Sequence, residues 1–161
     1  REWQVATIQL DMNIPERFDL TCINEKGEKE RIVMIHCAIA GSLERAIAIL
    51  LEHTGGALPT WLSPVQARIL SVSEKHNEYA GHVLRSLGEA GIRAEADTAN
   101  ESLGKKIRNA KEQKIPYLLV VGDAEVSANT VAAESRDKGK LGALSIAELV
   151  SKLKAEISSR S

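Results

Sequence analysis

Met34-Ile35-His36-Cys37-Ala38-Ile39-Ala40-Gly41-Ser42-Leu43-Glu44-Arg45 reads as an apolar strand that runs into a Gly-Ser turn and opens a helix. Gly41 lets the backbone approach a ligand closely. Ser42 is placed to cap the helix, and Arg45, in its first turn, offers a planar guanidinium that stacks on a base or grips phosphate. The layout suits a nucleotide, although strand, Gly-Ser and helix also make an ordinary connection. Downstream, Leu43, Ala46, Ile47, Leu50 and Leu51 recur at helical spacing, which predicts a helix over 42–54 stopped by Gly55-Gly56. Upstream, residues 3–11 and 18–24 read as strands. The charged turn Glu25-Lys26-Gly27-Glu28 leads to a third strand at about 30–39, and the three together read as an antiparallel meander.

Gly, Pro and Thr between 55 and 64 mark a junction, which divides the chain into a first domain over 1–58, a linker over 59–64 and a second domain over 65–161. Beyond it a strand at 65–72 precedes a helix at about 74–90 with Ala80, Val83, Leu84 and Leu87 on one face, then a strand at 92–96. Thr98 and Glu101 form a capping-box pattern ahead of a helix that ends before Pro116. Tyr117 to Val121 is an apolar run of the kind buried on both faces. After a Gly122-Asp123 turn comes a shorter strand at about 129–135. Ser145 and Glu148 then cap a last helix built on Ile146, Leu149, Val150 and Leu153. Strands alternating with helices predict a layered α/β domain with a partly parallel sheet.

The 161 residues are 43% hydrophobic, enough for one small domain plus part of another. One Phe, two Tyr and two Trp leave the core to aliphatic residues and argue against broad aromatic platforms for single-stranded nucleic acid. A net charge of −1 excludes a general polyanion binder, so any nucleic-acid contact must come from a local patch. Cys22 and Cys37 form no CxxC, which gives no metal or disulfide framework and makes a reducing cytoplasm the expected compartment. No apolar run approaches the roughly 18 residues of a membrane span, so no membrane partner is expected. The start at Arg1-Glu2-Trp3 is neither an initiator Met nor a signal peptide, and the chain is expected to be a piece of a larger protein.

Trp3-Gln4, Thr7-Ile8-Gln9-Leu10-Asp11, Pro15-Glu16-Arg17, Met34-Ile35-His36 and Gly41-Ser42-Leu43-Glu44-Arg45 closely resemble the last part of the catalytic domain of threonyl-tRNA synthetases, including the class II motif 3 signature. The resemblance continues through Pro59-Thr60-Trp61-Leu62-Ser63-Pro64-Val65-Gln66, Asn100-Glu101, Gly104-Lys105-Lys106-Ile107-Arg108, Pro116-Tyr117, Val121-Gly122-Asp123 and Glu125-Val126. It implies a three-layer α/β anticodon-binding domain with a mixed sheet, preceded by an antiparallel-sheet and helix remnant of the class II catalytic domain. A parent of this family would activate threonine with ATP and Mg2+ and transfer it to tRNA(Thr), as a homodimer. This piece alone, without motifs 1 and 2, is expected to be inactive.

For the first domain the resemblance implies that Arg45 contacts adenine, that Gln4 and Gln9 line the ATP and threonine pocket, and that His36 is one of three protein ligands to a zinc ion that selects threonine. Zinc at an open site leaves room for the amino and hydroxyl groups of threonine, and valine lacks that hydroxyl. His36 has no companion ligands in this stretch, so tight metal binding by the piece is not expected. Cys37 stands where the family usually has Arg, and Ala6 where it usually has Gly. Gln4 and Gln9, five apart, would face opposite sides of a straight strand and share a pocket only if the strand bends.

In the second domain Lys105, Lys106, Arg108, Lys111 and Lys114 outnumber the single acid Glu112 over 105–114. On a helix, Leu103, Ile107 and Ala110 form the buried stripe and Lys105, Arg108 and Lys111 line one flank, either as a solvated face or as a phosphate-binding one. The resemblance implies that Asn100, Arg108 and Glu125 lie on the surface receiving the anticodon loop, where splayed bases expose their Watson–Crick edges. Val131-Ala132-Ala133-Glu134-Ser135-Arg136 matches a family pattern in which position 134 is usually Arg and helps recognise the central guanine of the anticodon. Three readings remain open: Glu134 accepts from guanine's N–H donors, Arg136 substitutes from the same strand face, or that base is not read strongly. Arg136 is the favoured substitute. Two rival identities are another synthetase with the same anticodon domain, disfavoured by Met-Ile-His and the Thr-Ile-Gln-Leu-Asp run, and a noncatalytic RNA-binding paralogue.

Overall fold

A computed structural model describes residues 2–160 and divides the chain at Gly55–Gly56 into two compact units. The first holds β1 (Thr7–Asp11), α1 (Asn13–Arg17), β2 (Thr21–Ile23), β3 (Lys29–Arg31), β4 (Met34–Ala38) and α2 (Leu43–Thr54). The expected meander is corrected here. β1 pairs antiparallel with β4, and β2–β3 is a separate hairpin inserted between them. Asn24 closes that hairpin by accepting from the backbone N–H groups of Lys26 and Glu28.

Helix α1 was not foreseen, because its signal is a side chain at the end of a strand. Asp11 accepts from the N–H groups of Asn13 and Ile14, and Pro15, in the first turn, lacks only an N–H that no helix there would use. The expected strand at 30–39 is split at Ile32–Val33. α2 follows its periodicity: Ser42 Oγ accepts from Arg45 N, and Gly55 ends the helix in the left-handed region at φ 57°.

The second unit contains β5 (Ala67–Ser71), a 3-10 turn (Glu74–His76), α3 (Asn77–Glu89), β6 (Ala94–Asp97), α4 (Leu103–Glu112), β7 (Tyr117–Val121), α5 (Asp123–Ala128), β8 (Thr130–Ser135), β9 (Gly139–Ser145) and α6 (Ile146–Ser159). Its mixed sheet runs β6-β5-β7-β8-β9, with β5, β6 and β7 parallel and β8 and β9 antiparallel. Ile69, Leu119, Val121 and Val131 pack on one face against Val83 and Leu87 of α3 and Leu149 and Leu153 of α6. Leu70 and Leu118 meet Ala110 of α4 and Ile115 on the other. The result is three layers around a sheet with buried central strands, as the apolar run at 117–121 requires.

Three expectations in this unit are corrected. The Thr98/Glu101 pair caps nothing: 98–102 is a loop, and α4 starts after Ser102. Residues 123–128 form α5 rather than a bare turn, and β9 was missed because Gly139 and Gly142, both left-handed, interrupt its pattern. β9 holds by pairing with β8, with Leu141 bulged where Ala133 faces Gly142 and Glu134 faces Lys140. Residues 59–64, expected as a linker, pack into the second unit: Thr60 and Ser63 are buried, Gln66 donates to Thr60 O, and the Arg93 guanidinium donates to the carbonyls of Trp61 and Ser63. Among the described residues no helix is long and apolar enough to cross a membrane.

Candidate nucleic-acid interface

In the first unit, strand pairing gathers the candidate substrate residues. Gln9 lies directly opposite His36 in the β1–β4 pair, so the two share a face, together with Thr7 and Asp11 two positions away on either side. Gln4 precedes the strand, and its Nε2 donates to Thr7 Oγ1 at 2.8 Å. The five-residue spacing of Gln4 and Gln9 therefore needs no bulge, because the regular strand begins only at Thr7. His36 Nε2 and Asp11 Oδ2 are 3.2 Å apart. The N–H of Ile14 holds the Asp11 carboxyl below its usual range against an opposing burial penalty, with Asn13 and His36 adding to the lowering.

Cys37 pairs with Ile8 on the opposite face, where Ile8, Leu10 and Ile35 are 73%, 63% and 64% exposed. Arg45 stands exposed in the first turn of α2, and no hydrogen bond joins its guanidinium to the Gln4–His36 set among the described residues. No group of three His, Cys, Asp or Glu is arranged for a metal among the described residues. His36 with Asp11 alone does not make a zinc site, since a structural or catalytic zinc takes at least three protein donors.

In the second unit the polypeptide leaves β5 toward β6 and leaves β7 toward β8, so the carboxyl ends of β5 and β7 border a switch point, where open α/β sheets place their ligands. On the other side of β5, over the carboxyl ends of β5 and β6, lies a cleft of about 500 Å3, lined by Val72, Ser73 and Lys75 on one side and Ala99, Asn100 and Glu101 on the other, with Lys106 among them. Asn100 is exposed on the 98–102 loop. Beside the cleft, Ser73 N donates to Nδ1 of buried His76, so the ring proton lies on Nε2 and is donated to Asp123 Oδ1 at 3.2 Å. Asp123 also takes Lys75, whose hydrogen bond is the main cause that lowers the carboxyl's pKa. Glu125 Oε2 accepts from Gly122 N at 2.9 Å and is thus engaged in capping α5.

The basic flank is largely neutralised. Lys105 pairs with Glu101 at 2.6 Å and Lys111 with Glu134 at 2.7 Å, while Lys106 is buried. Arg108 remains exposed. Glu134, Lys111 and Arg136 border a second groove, over Ile115 and Leu118, between α4 and β8. Four of the five N–H donors of the Arg136 guanidinium are engaged there: Nε and Nη2 each donate to Asp137, and Nη1 donates to the carbonyls of Leu58 and Lys114. Arg136 in turn depresses the Asp137 pKa.

Sequence reasoning missed two polar centres. Lys106 had a signal: it lies three after Leu103 and four before Ala110, on the stripe that faces the sheet. Glu156 had none. Its carboxylate accepts from Thr60 Oγ1 at 2.5 Å, Tyr117 Oη at 2.7 Å and Lys138 Nζ at 2.9 Å. Burial pushes Glu156 up, but the hydrogen bonds of Thr60, Tyr117 and Lys138 outweigh it and leave the carboxyl below its usual range. Burial and the bond to Glu156 push the Tyr117 hydroxyl up.

Comparison with known proteins accords with this geometry. The family described as the tRNA synthetase class II core domain (G, H, P, S and T) matches residues 1–54, and that described as the anticodon binding domain matches residues 66–156. Threonine–tRNA ligase of Clostridium tetani is 52% identical over 99% of this chain and 25% of its own length, and that of Maridesulfovibrio salexigens 56% over 94% and 24%. The chain therefore spans about a quarter of the curated relatives it matches. A crystal structure of the RNA binding domain of threonyl-tRNA synthetase from Cryptosporidium parvum Iowa II superposes with a TM-score of 0.88 at 40% identity, covering 97% of this chain and 40% of that one. With a match over more than half of its residues, the chain belongs to the anticodon binding domain family, preceded in the same polypeptide by a segment of class II core.

Proposed function

We propose that this chain is the motif 3 and anticodon-binding portion of a threonine–tRNA ligase that joins threonine to tRNA(Thr) at the expense of ATP. The carrying observation is identity of 52% with a threonine–tRNA ligase over 99% of the chain, spanning both units. In the complete enzyme Arg45 stacks on adenine, and Gln4 and Gln9 face the threonine pocket. His36, on the same strand face as Gln9, supplies one zinc ligand, with the other ligands coming from elsewhere in the polypeptide. Bound zinc would act as a Lewis acid for the amino and hydroxyl groups of threonine, and Mg2+ would accompany ATP. The exposed apolar face of Ile8, Leu10 and Ile35 is covered by the rest of the catalytic core, and the enzyme works as a cytoplasmic homodimer.

Asn100 reads an unpaired base in the cleft at the ends of β5 and β6, Arg108 holds backbone phosphate, and Glu125 shapes the adjoining wall. Arg136 is left out of base reading, since four of its five donors are engaged within the fold and the remaining one cannot make the two-bond contact to guanine O6 and N7. The test is titration of this chain with the tRNA(Thr) anticodon stem-loop and with loops carrying changed anticodon bases. Preference for the cognate loop supports the reading, and equal affinity for all loops overturns it. The same chain should show no threonine-dependent ATP–pyrophosphate exchange and retain no stoichiometric zinc after dialysis. Activity in that assay would refute the assignment of the catalytic ligands to other parts of the enzyme.

A further inference from the structure

Lys106 is 2% exposed although it carries an ammonium group. Its Nζ donates to the Ser71 carbonyl at 2.9 Å, to the Ser71 hydroxyl at 3.2 Å and to the Asp97 carbonyl at 3.1 Å. Three donors meet three acceptors, so the ammonium is fully hydrogen-bonded, and none of those acceptors is a carboxylate. Apolar side chains would fill such a site with less desolvation, so the buried charge is a poor choice for stability alone.

What the ammonium joins explains it better. Ser71 ends β5 and Asp97 ends β6, and these are neighbouring parallel strands. The chain leaving Ser71 becomes one wall of the cleft over the β5 and β6 ends, at 72–75, and the chain leaving Asp97 becomes the other, at 98–102. Both walls are thus rooted on one side chain. The loop is braced further: Ala99 N donates to Asp97 Oδ1, Glu101 N donates to Ala99 O, and Asn100 lies between them.

We propose that Lys106 is a positioning residue for RNA recognition, its ammonium setting the separation of the 72–75 and 98–102 walls so that Asn100 meets an unpaired base at hydrogen-bonding distance. The inference rests on the anticodon reading above.

Lys106→Met keeps most of the side-chain volume and removes the donors. Its affinity for the tRNA(Thr) anticodon stem-loop and for loops with each anticodon base changed in turn is compared with that of the unaltered chain, at a temperature where thermal unfolding shows both folded. Discrimination at one anticodon position should fall about tenfold, the scale of one lost base contact, and Asn100→Ala should lose discrimination at that same position. The dependence of affinity on salt should stay unchanged, because Lys106 touches no phosphate in this arrangement. Ser71→Ala, which removes one acceptor and keeps the charge, should produce a smaller loss at the same position, and it decides the matter if the Met variant does not fold. Unaltered discrimination in the folded variants, or a shallower salt dependence, overturns the proposal. An unaltered chain that discriminates among no loops overturns the anticodon reading instead, which separates the two failures.

Discussion

The Nη1 of Arg136 donates to the carbonyl oxygen of Leu58, 78 residues earlier in the chain, at 3.1 Å. The same nitrogen reaches Lys114 O at 3.0 Å, so one guanidinium ties the 57–64 segment to the turn between α4 and β7. Arg136→Ala should lower unfolding stability by about 1–3 kcal/mol, chiefly the cost of the half-buried Leu58 carbonyl left without its donor. RNA affinity should fall equally for loops with and without a central guanine. Thermal unfolding beside paired binding titrations checks both halves, and a loss confined to the central-guanine loop would return Arg136 to base reading.

Pairing of Lys111 with Glu134 makes the opposite prediction for its acid. Glu134→Ala should free Lys111 for phosphate and steepen the dependence of log affinity on log salt by up to about 0.7–0.9. Arg108→Ala should make that dependence shallower by a similar amount, and Lys105→Ala should matter less because Glu101 already holds it. Filter binding over a range of salt concentrations reads all three. Should Glu134→Ala instead weaken only the central-guanine loop, the carboxylate reads that base by its N–H donors.

Glu156 ties acid sensitivity to the same unit. Its ordinary value is 4.5 and its folded value is lower, so its contribution is complete above 4.5 and is lost as pH falls through the folded value. Glu156→Gln, which retains shape but not charge, should be less stable than the unaltered chain at neutral pH and should lose less on acidification. Urea unfolding at about pH 6 and about pH 3.5 compares them. Parallel losses for both proteins would show that the titrating group lies elsewhere.

Gln66→Leu should be among the most damaging single changes in this unit. The amide is fully buried, with Nε2 on Thr60 O and Oε1 accepting from Arg93 N. Removing it orphans both backbone groups and should cost about 2–4 kcal/mol in chemical denaturation. A change under about 0.5 kcal/mol would mean that 57–64 is held by its arginine contacts and the Thr60–Glu156 bond without the amide.

What was legible in the sequence was whatever repeats locally. Ser145 with Glu148 announces α6 because both bonds of that cap lie within four residues, and the Tyr117–Val121 run announces a central strand because both its faces are apolar. Pairing across the fold was not legible. α1 depends on an Asp in the preceding strand, β9 on a partner that tolerates a bulge, and the fate of Arg136 on a carbonyl far back in the chain. Charge is where spacing misled most, since Lys105, Arg108 and Lys111 line one flank of the helical wheel alike while tertiary contacts pair two of them and leave Arg108 exposed.

The attachment of residues 57–64 also decides where this polypeptide is best trimmed. A shortened gene begun at Val65, where the periodic pattern of the second domain starts, would encode a protein missing the carbonyls that receive Arg93 and Arg136, the partner of the Gln66 amide and the hydroxyl held by Glu156. Such a product would expose a charged seam and be prone to precipitate. A gene begun at Gly56 keeps every one of those partners, and it severs the chain between two glycines whose φ angles of 57° and 81° already mark a turn. That nine-residue difference at the amino end separates a self-contained expression product from a frayed one.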